Sequence, residues 1–181
     1  LVPVVVDSNN SVMPSQDSPI YWTDHHGHTV LHIAVSLHQK TWLQQYCRAD
    51  DNNNDNNNDK VLSALRLLTA PPLLHTAVLS ATQPQQMVTW LVSLWPSMMK
   101  IQDSRTGDTV WHVAARVGNV DLLKHLFRLL QKLEGLPSSS SSSLRSEKMV
   151  LMMANHQQQT PLQVAAVSCQ EDAVRWCLTH N

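Results

Sequence analysis

A short motif that recurs four times constrains this chain more than any other feature. Thr29-Val-Leu-His-Ile-Ala34, Leu74-His-Thr-Ala77, Thr109-Val-Trp-His-Val-Ala114 and Thr160-Pro-Leu-Gln-Val-Ala165 share one pattern. Around the third copy the context is complete. Thr106-Gly-Asp108 is a tight-turn signal, and a short helical segment from Val110 to Val117 follows, stopped by Gly118-Asn119. A second segment then places Val120, Leu123, Leu126, Phe127 and Leu130 at helical spacing on one face. One such turn–helix–helix unit cannot bury its apolar side alone, so copies must stack.

The anchor residues His32, His75, His112 and Gln163 are separated by 43, 37 and 51 residues. Turn, short helix, break and longer helix around a Thr-Pro-Leu-His-x-Ala core resemble the ankyrin repeat, whose period is about 33 residues. The resemblance implies an all-α ankyrin-repeat solenoid of about four helix-turn-helix repeats with short turn or hairpin connections. The spacings exceed that period, so inserts are required. Two are visible, an Asn/Asp block at 50–59 and a segment at 136–148 containing six consecutive Ser. Boundaries are expected near 21–60, 61–101, 102–150 and 151–181, behind a flexible tail over 1–20. The buried seams should run through Leu31, Leu74, Trp111 and Leu162.

Inner helices are expected over Leu31–His38, Leu73–Ser80 and Val110–Val117, with a fourth opening at Pro161, a favoured first helical residue. Outer helices are expected over Lys40–Arg48, Gln85–Leu94, Val120–Leu133 and Glu171–Leu178. Met87, Val88, Leu91 and Leu94 should face inward in the second of these. Trp42, Trp90, Trp111 and Trp176 fall at positions that pack between repeats. Val174, Cys177 and Leu178 give the last outer helix an internal character. A stack normally ends on a polar face, so a longer parent array or a covering chain is expected.

Charge divides unevenly along the chain. Residues 1–60 hold three Lys/Arg against seven Asp/Glu, and residues 61–181 hold ten against seven. A net charge of −1 excludes an overall field driving the chain to nucleic acid or an anionic membrane. No apolar run reaches membrane-spanning length. Three sparse cysteines without paired spacing point to a reducing compartment. The chain starts without Met, which predicts a piece of a longer protein.

The insert positions, and Val150-Leu-Met-Met-Ala-Asn155 feeding the fourth turn, resemble the IκB family, including the C-terminal halves of NF-κB/Rel precursors. Asp24-His-His-Gly-His-Thr-Val-Leu-His-Ile-Ala-Val35 is similar to the first repeat of that family. The chain departs from it at Gln163, in the missing turn glycine of repeat two, and in repeat number. Asp7-Ser-Asn-Asn-Ser11 only loosely resembles the family's phosphorylated degradation motif, so a constitutive inhibitor is the better match. The resemblance implies an inhibitor that binds a Rel-homology transcription-factor dimer. The first, acidic repeat would mask the dimer's basic nuclear-localisation segment, and the complex would be cytoplasmic or nuclear. A general ankyrin adaptor with another protein partner is the alternative.

Recognition should fall on variable positions between the packing residues. These are His25, His26, His28, Ser36 and Leu37 in repeat one, and Leu79 and Ser80 in repeat two. Repeat three offers Arg105, Thr106, Asp108, Arg116 and Val117. Repeat four offers His156, Gln157, Gln159, Val167 and Ser168. His25-His-x-His28 raises zinc binding or a His-based hydrolase, but no acid or Cys set accompanies it at ligand spacing. Exposed turn residues are the plainer expectation. No catalytic constellation or phosphate loop is present, so neither an enzyme nor a cofactor or small-molecule substrate is expected.

Overall fold

The computed structural model describes residues 23–43, 72–80, 84–133 and 149–180. Among the described residues the regular structure is helical, with no strand. The chain divides into two compact units, residues 1–70 and 71–181. The predicted tail, the two inserts, the two-turn helix that Val61, Leu62, Leu65 and Leu68 predict ahead of repeat two, Trp22 just before the first turn, and the Asp7–Ser11 motif lie outside the described residues.

In the first unit, helix α1 spans Val30–Ser36 and buries Leu31, His32, Ala34 and Val35. Thr29, in extended backbone at φ −99° and ψ 172°, sets its start. His38 turns the chain at φ 56°, and residues 40–43 are again helical, with Leu43 buried. Trp42, expected in a seam, is 38 % exposed. On this short turn Leu43 takes the inward position instead.

Among its described residues the second unit has, besides a helical stretch at 149–152, six α-helices in two layers. Short inner helices α2 (Leu73–Leu79), α4 (Val110–Val117) and α6 (Pro161–Val167) alternate with outer helices α3 (Pro84–Leu94), α5 (Val120–Leu133) and α7 (Glu171–His180). The inner helices pack in the order α2, α4, α6, and the outer ones in the order α3, α5, α7. Each inner helix also packs on the outer helix that follows it. A 3₁₀ turn over Pro96–Lys100 buries Met98 and Met99 between α3 and α4.

The inner helices are short because each has a start and a stop in its sequence. Thr109 and Thr160 enter α4 and α6 in extended backbone, and Pro161 occupies the first position of α6. Gly118 ends α4 at φ 75°, where its N–H reaches the carbonyls of Ala114 and Ala115. The inner faces fill the centre: Leu74, Ala77, Val78, Trp111, Ala114 and Ala165 are buried. Burying side chains of this size supplies about 1.5–3 kcal/mol each for Val, Leu or Met.

Several packing expectations need correction. Leu162 is half-buried, not a sealed seam residue; Val164 and Ala165 face the neighbouring helices in its place. In α3 the buried set is Met87, Val88, Leu91 and Val92, while Leu94 is exposed. Leu94 closes the helix about a quarter-turn from the middle of that face. In α5 Leu122 joins Leu123, Leu126 and Leu130 in the core, and Val120 and Phe127 sit on its shoulder. Phe127 meets Trp176 of α7 edge-to-face, with centroids 5.7 Å apart. In α7 Ala173, Trp176 and Cys177 are buried, Val174 is half-buried and Leu178 is exposed. Trp111 and Trp176 are core residues as expected, while Trp90 is half-buried.

Candidate interaction surface

Three described turns are built on one plan. Each opens with an Asp or Asn whose side chain receives backbone N–H groups two to four residues on. Asp24 accepts from His26 and His28, both at 2.8 Å. Asp103 accepts from Arg105 at 2.9 Å. Asn155 accepts from Gln157 at 3.0 Å and Gln159 at 2.9 Å. Short polar side chains of this type stabilise turns by satisfying local backbone donors. Left-handed backbone follows in each, at Gly27, Gly107 and Gln158. A second left-handed residue lies six positions after each anchor, at His38, Gly118 and Cys169.

The anchors behave alike at their starts. The Thr29 N–H donates to His32 Nδ1 at 2.9 Å, and the Thr109 N–H donates to His112 Nδ1 at 3.1 Å. Gln163 stands in for histidine by offering Oε1 to the Thr160 N–H at 2.8 Å. His112 uses its second nitrogen as well: Nε2–H donates to the Gln159 carbonyl at 2.9 Å. A carbonyl only accepts, so His112 is the neutral Nε2–H tautomer. Burial pushes its pKa below the ordinary histidine value. His75 lacks both partnerships. Its helix begins after Pro72, which has no N–H to give, and its Nε2 is buried without a hydrogen bond. Burial lowers its pKa to about 4.

The third and fourth turns are fastened together. The His156 N–H donates to the Thr106 carbonyl at 3.0 Å, and His156 Nδ1–H to the Arg105 carbonyl at 3.2 Å. Gln102 Nε2 bridges the carbonyls of Gly107 and Ala154, each at 3.0 Å. Beneath them Asp108 accepts from Arg116 Nη2 at 2.6 Å and from Asn155 Nδ2 at 2.9 Å. Burial works to raise the Asp108 pKa, but these two donors outweigh it and hold the carboxyl below its usual range.

The residues expected to contact a partner separate accordingly. Asp108 is 2 % exposed, so its carboxylate serves the turn; this corrects its placement on the surface. Gln159 is half-buried and commits its backbone to Asn155 and His112. Ser80 and Ser168 are half-buried at helix ends. Arg105, Thr106, Arg116, His156 and Gln157 are exposed along the joined turns. Leu79, Val117 and Val167 are exposed apolar residues at the ends of α2, α4 and α6, at 62, 46 and 71 %.

In the first unit, His25 and His26 are exposed, with rings 3.9 Å apart, and His28 is half-buried with its ring 5.9 Å from that of His26. His28 Nδ1 lies 3.2 Å from Asp24, whose pKa falls to about 2 chiefly through the His28 N–H. Ser36 and Leu37 are exposed, the Ser36 hydroxyl donating to the Ile33 carbonyl. No group of three His, Cys, Asp or Glu among the described residues is arranged to hold a metal ion.

Asn155 and Gln102 are the structural residues that motif reading passed over. The signal for Asn155 was available, since an Asp or Asn stands eight or nine residues before each of three anchors. No helix among the described residues is long and apolar enough to cross a membrane. No protein-family model matches this chain, and no curated protein matches its sequence.

Proposed function

We propose that the chain is an ankyrin-type repeat protein of the IκB-like kind, a non-enzymatic module that binds a Rel-homology dimer, masks its nuclear-localisation segment and opposes DNA binding. One observation carries the repeat reading. Three turn–helix–bend segments place an Asx turn eight or nine residues before an anchor bonded to the preceding N-cap, and a left-handed bend six residues after it. A recurring unit that exposes its turn tips and helix ends offers a surface for protein partners, while its conserved offsets go to packing.

The choice of a Rel partner rests on the family resemblance of the repeats and on the charge division between the two halves of the chain. In the first turn Asp24 stays ionised and exposed, which suits a basic segment. The test is calorimetric titration of the chain with a purified Rel-homology dimer at moderate salt. Saturable binding that weakens on removal of the dimer's basic segment supports the reading. No heat and no complex by size exclusion reject the Rel partner and leave the adaptor alternative.

A further inference from the structure

Within the second unit, the edge formed by the third and fourth turns and the ends of the inner helices has a chemistry of its own. Its described carboxylates, Asp103 and Asp108, are both buried. Among the described residues of this unit the exposed acids, Asp121, Glu171 and Asp172, stand instead on the first turns of outer helices α5 and α7. What the edge does present is Arg105, which makes no ion pair with any described residue, and the half-exposed Arg116. Arg116 spends Nη2 on Asp108 and keeps further donors for a second acceptor.

At the C-terminal ends of the three inner helices, which pack side by side, Leu79, Val117 and Val167 are exposed. Arg116 and Val117 are adjacent in sequence, so the cationic and apolar features meet on α4. The joined turns hold this arrangement firmly, because His156 bonds the backbone of both Arg105 and Thr106. A guanidinium on a preorganised edge is suited to a carboxylate, which it binds with charge-assisted hydrogen bonds.

We infer that this edge docks a partner segment carrying Asp or Glu interleaved with aliphatic side chains, the carboxylates on Arg105 and Arg116 and the aliphatics on Leu79, Val117 and Val167. The inference rests on the reading of the chain as a protein-binding repeat and names the chemistry of one of its partner's segments. It is opposite in sign to the basic segment proposed for the first turn.

The test is fluorescence anisotropy of the full chain with three labelled peptides: one alternating Leu with Glu, one with Gln in place of Glu, and one with Lys. The acidic peptide should bind, the Gln peptide about tenfold more weakly, as expected for losing roughly one charge-assisted bond, and the Lys peptide not measurably. Arg105→Glu and Val167→Asp, both at exposed sites, should each weaken the acidic peptide at least about tenfold with an unchanged thermal melt. Equal binding of all three peptides overturns the inference, as does unaltered affinity in Arg105→Glu. A chain that binds the acidic peptide but no Rel-homology dimer keeps this surface and discards the Rel partner. A chain that binds the dimer but not the acidic peptide does the reverse.

Discussion

His112 holds its own turn by one ring nitrogen and the next turn by the other. Nδ1 accepts the Thr109 N–H at 3.1 Å and Nε2–H donates to the Gln159 carbonyl at 2.9 Å, across 47 residues of sequence. The imidazole therefore couples the cap of α4 to the entry of α6. A side chain with a single acceptor supports only the first of these tasks.

His112→Ala should lower stability by about 3 kcal/mol, combining two lost hydrogen bonds with a buried void. His112→Gln, which copies the acceptor that Gln163 offers to Thr160, should recover about half of that loss. Urea unfolding followed by far-UV circular dichroism measures both. Equal losses in the two variants would remove the capping role assigned to Nδ1.

Acid sensitivity is expected from His75. Its folded pKa of about 4 lies below the ordinary 6.5, so folding favours the neutral ring. That contribution is complete above pH 6.5 and is lost as the pH falls from there through 4, on the order of 3 kcal/mol in all. His75→Leu should flatten the stability profile over this window. At pH 7 it should cost little, because the ring's Nε2 has no hydrogen bond to lose. Denaturant midpoints at several pH values decide the matter, and an unchanged slope in His75→Leu would assign the acid sensitivity elsewhere.

Gly107 and Gly118 both have positive φ, but their surroundings differ. A Cβ at Gly107 would lie 2.5 Å from the backbone nitrogen of His156, which cannot move without parting the two turns. At Gly118 the obstacle is the far end of the Gln170 side chain. Gly107→Ala should therefore cost about 3 kcal/mol, and Gly118→Ala about 1, close to the left-handed strain alone. Thermal melts of the two variants give the comparison.

Asp108 and Asn155 form a buried pair beneath the turns. Asn155→Ala removes a donor to Asp108 and the acceptor for two backbone N–H groups. The expected loss is about 3 kcal/mol, with the turn of residues 155–160 exchanging its amide hydrogens faster. Exchange confined to the wild-type rate would mean that the turn is held by other contacts.

The helical layout was legible in the sequence because caps and breaks are local. Thr109 and Gly118 bracket α4, and Pro161 opens α6, as their residue types dictate. The turns were harder to read. Gln158, His38 and Cys169 occupy left-handed positions that composition assigns to glycine, so a search for Gly misses them. Asp108 read as a surface residue because an Asp in a turn is normally solvated. Its burial depends on Arg116, eight residues away, and Asn155, 47 residues away, which no local pattern reveals. The exposed residues Leu79 and Val167, four positions after their anchors, and Val117, five after its own, were accessible through these offsets, whereas the burial of Asp103 and Asp108 required the fold.

Hydrogen–deuterium exchange of the chain, alone and with a saturating Rel-homology dimer, tests the central claim most directly. Protection is predicted over residues 24–29, over the turns at 103–109 and 155–160, and at the C-terminal ends of α2, α4 and α6. Protection restricted to the outer helices α3, α5 and α7, or no protection despite a formed complex, would contradict the assignment of these turns and helix ends as working surfaces.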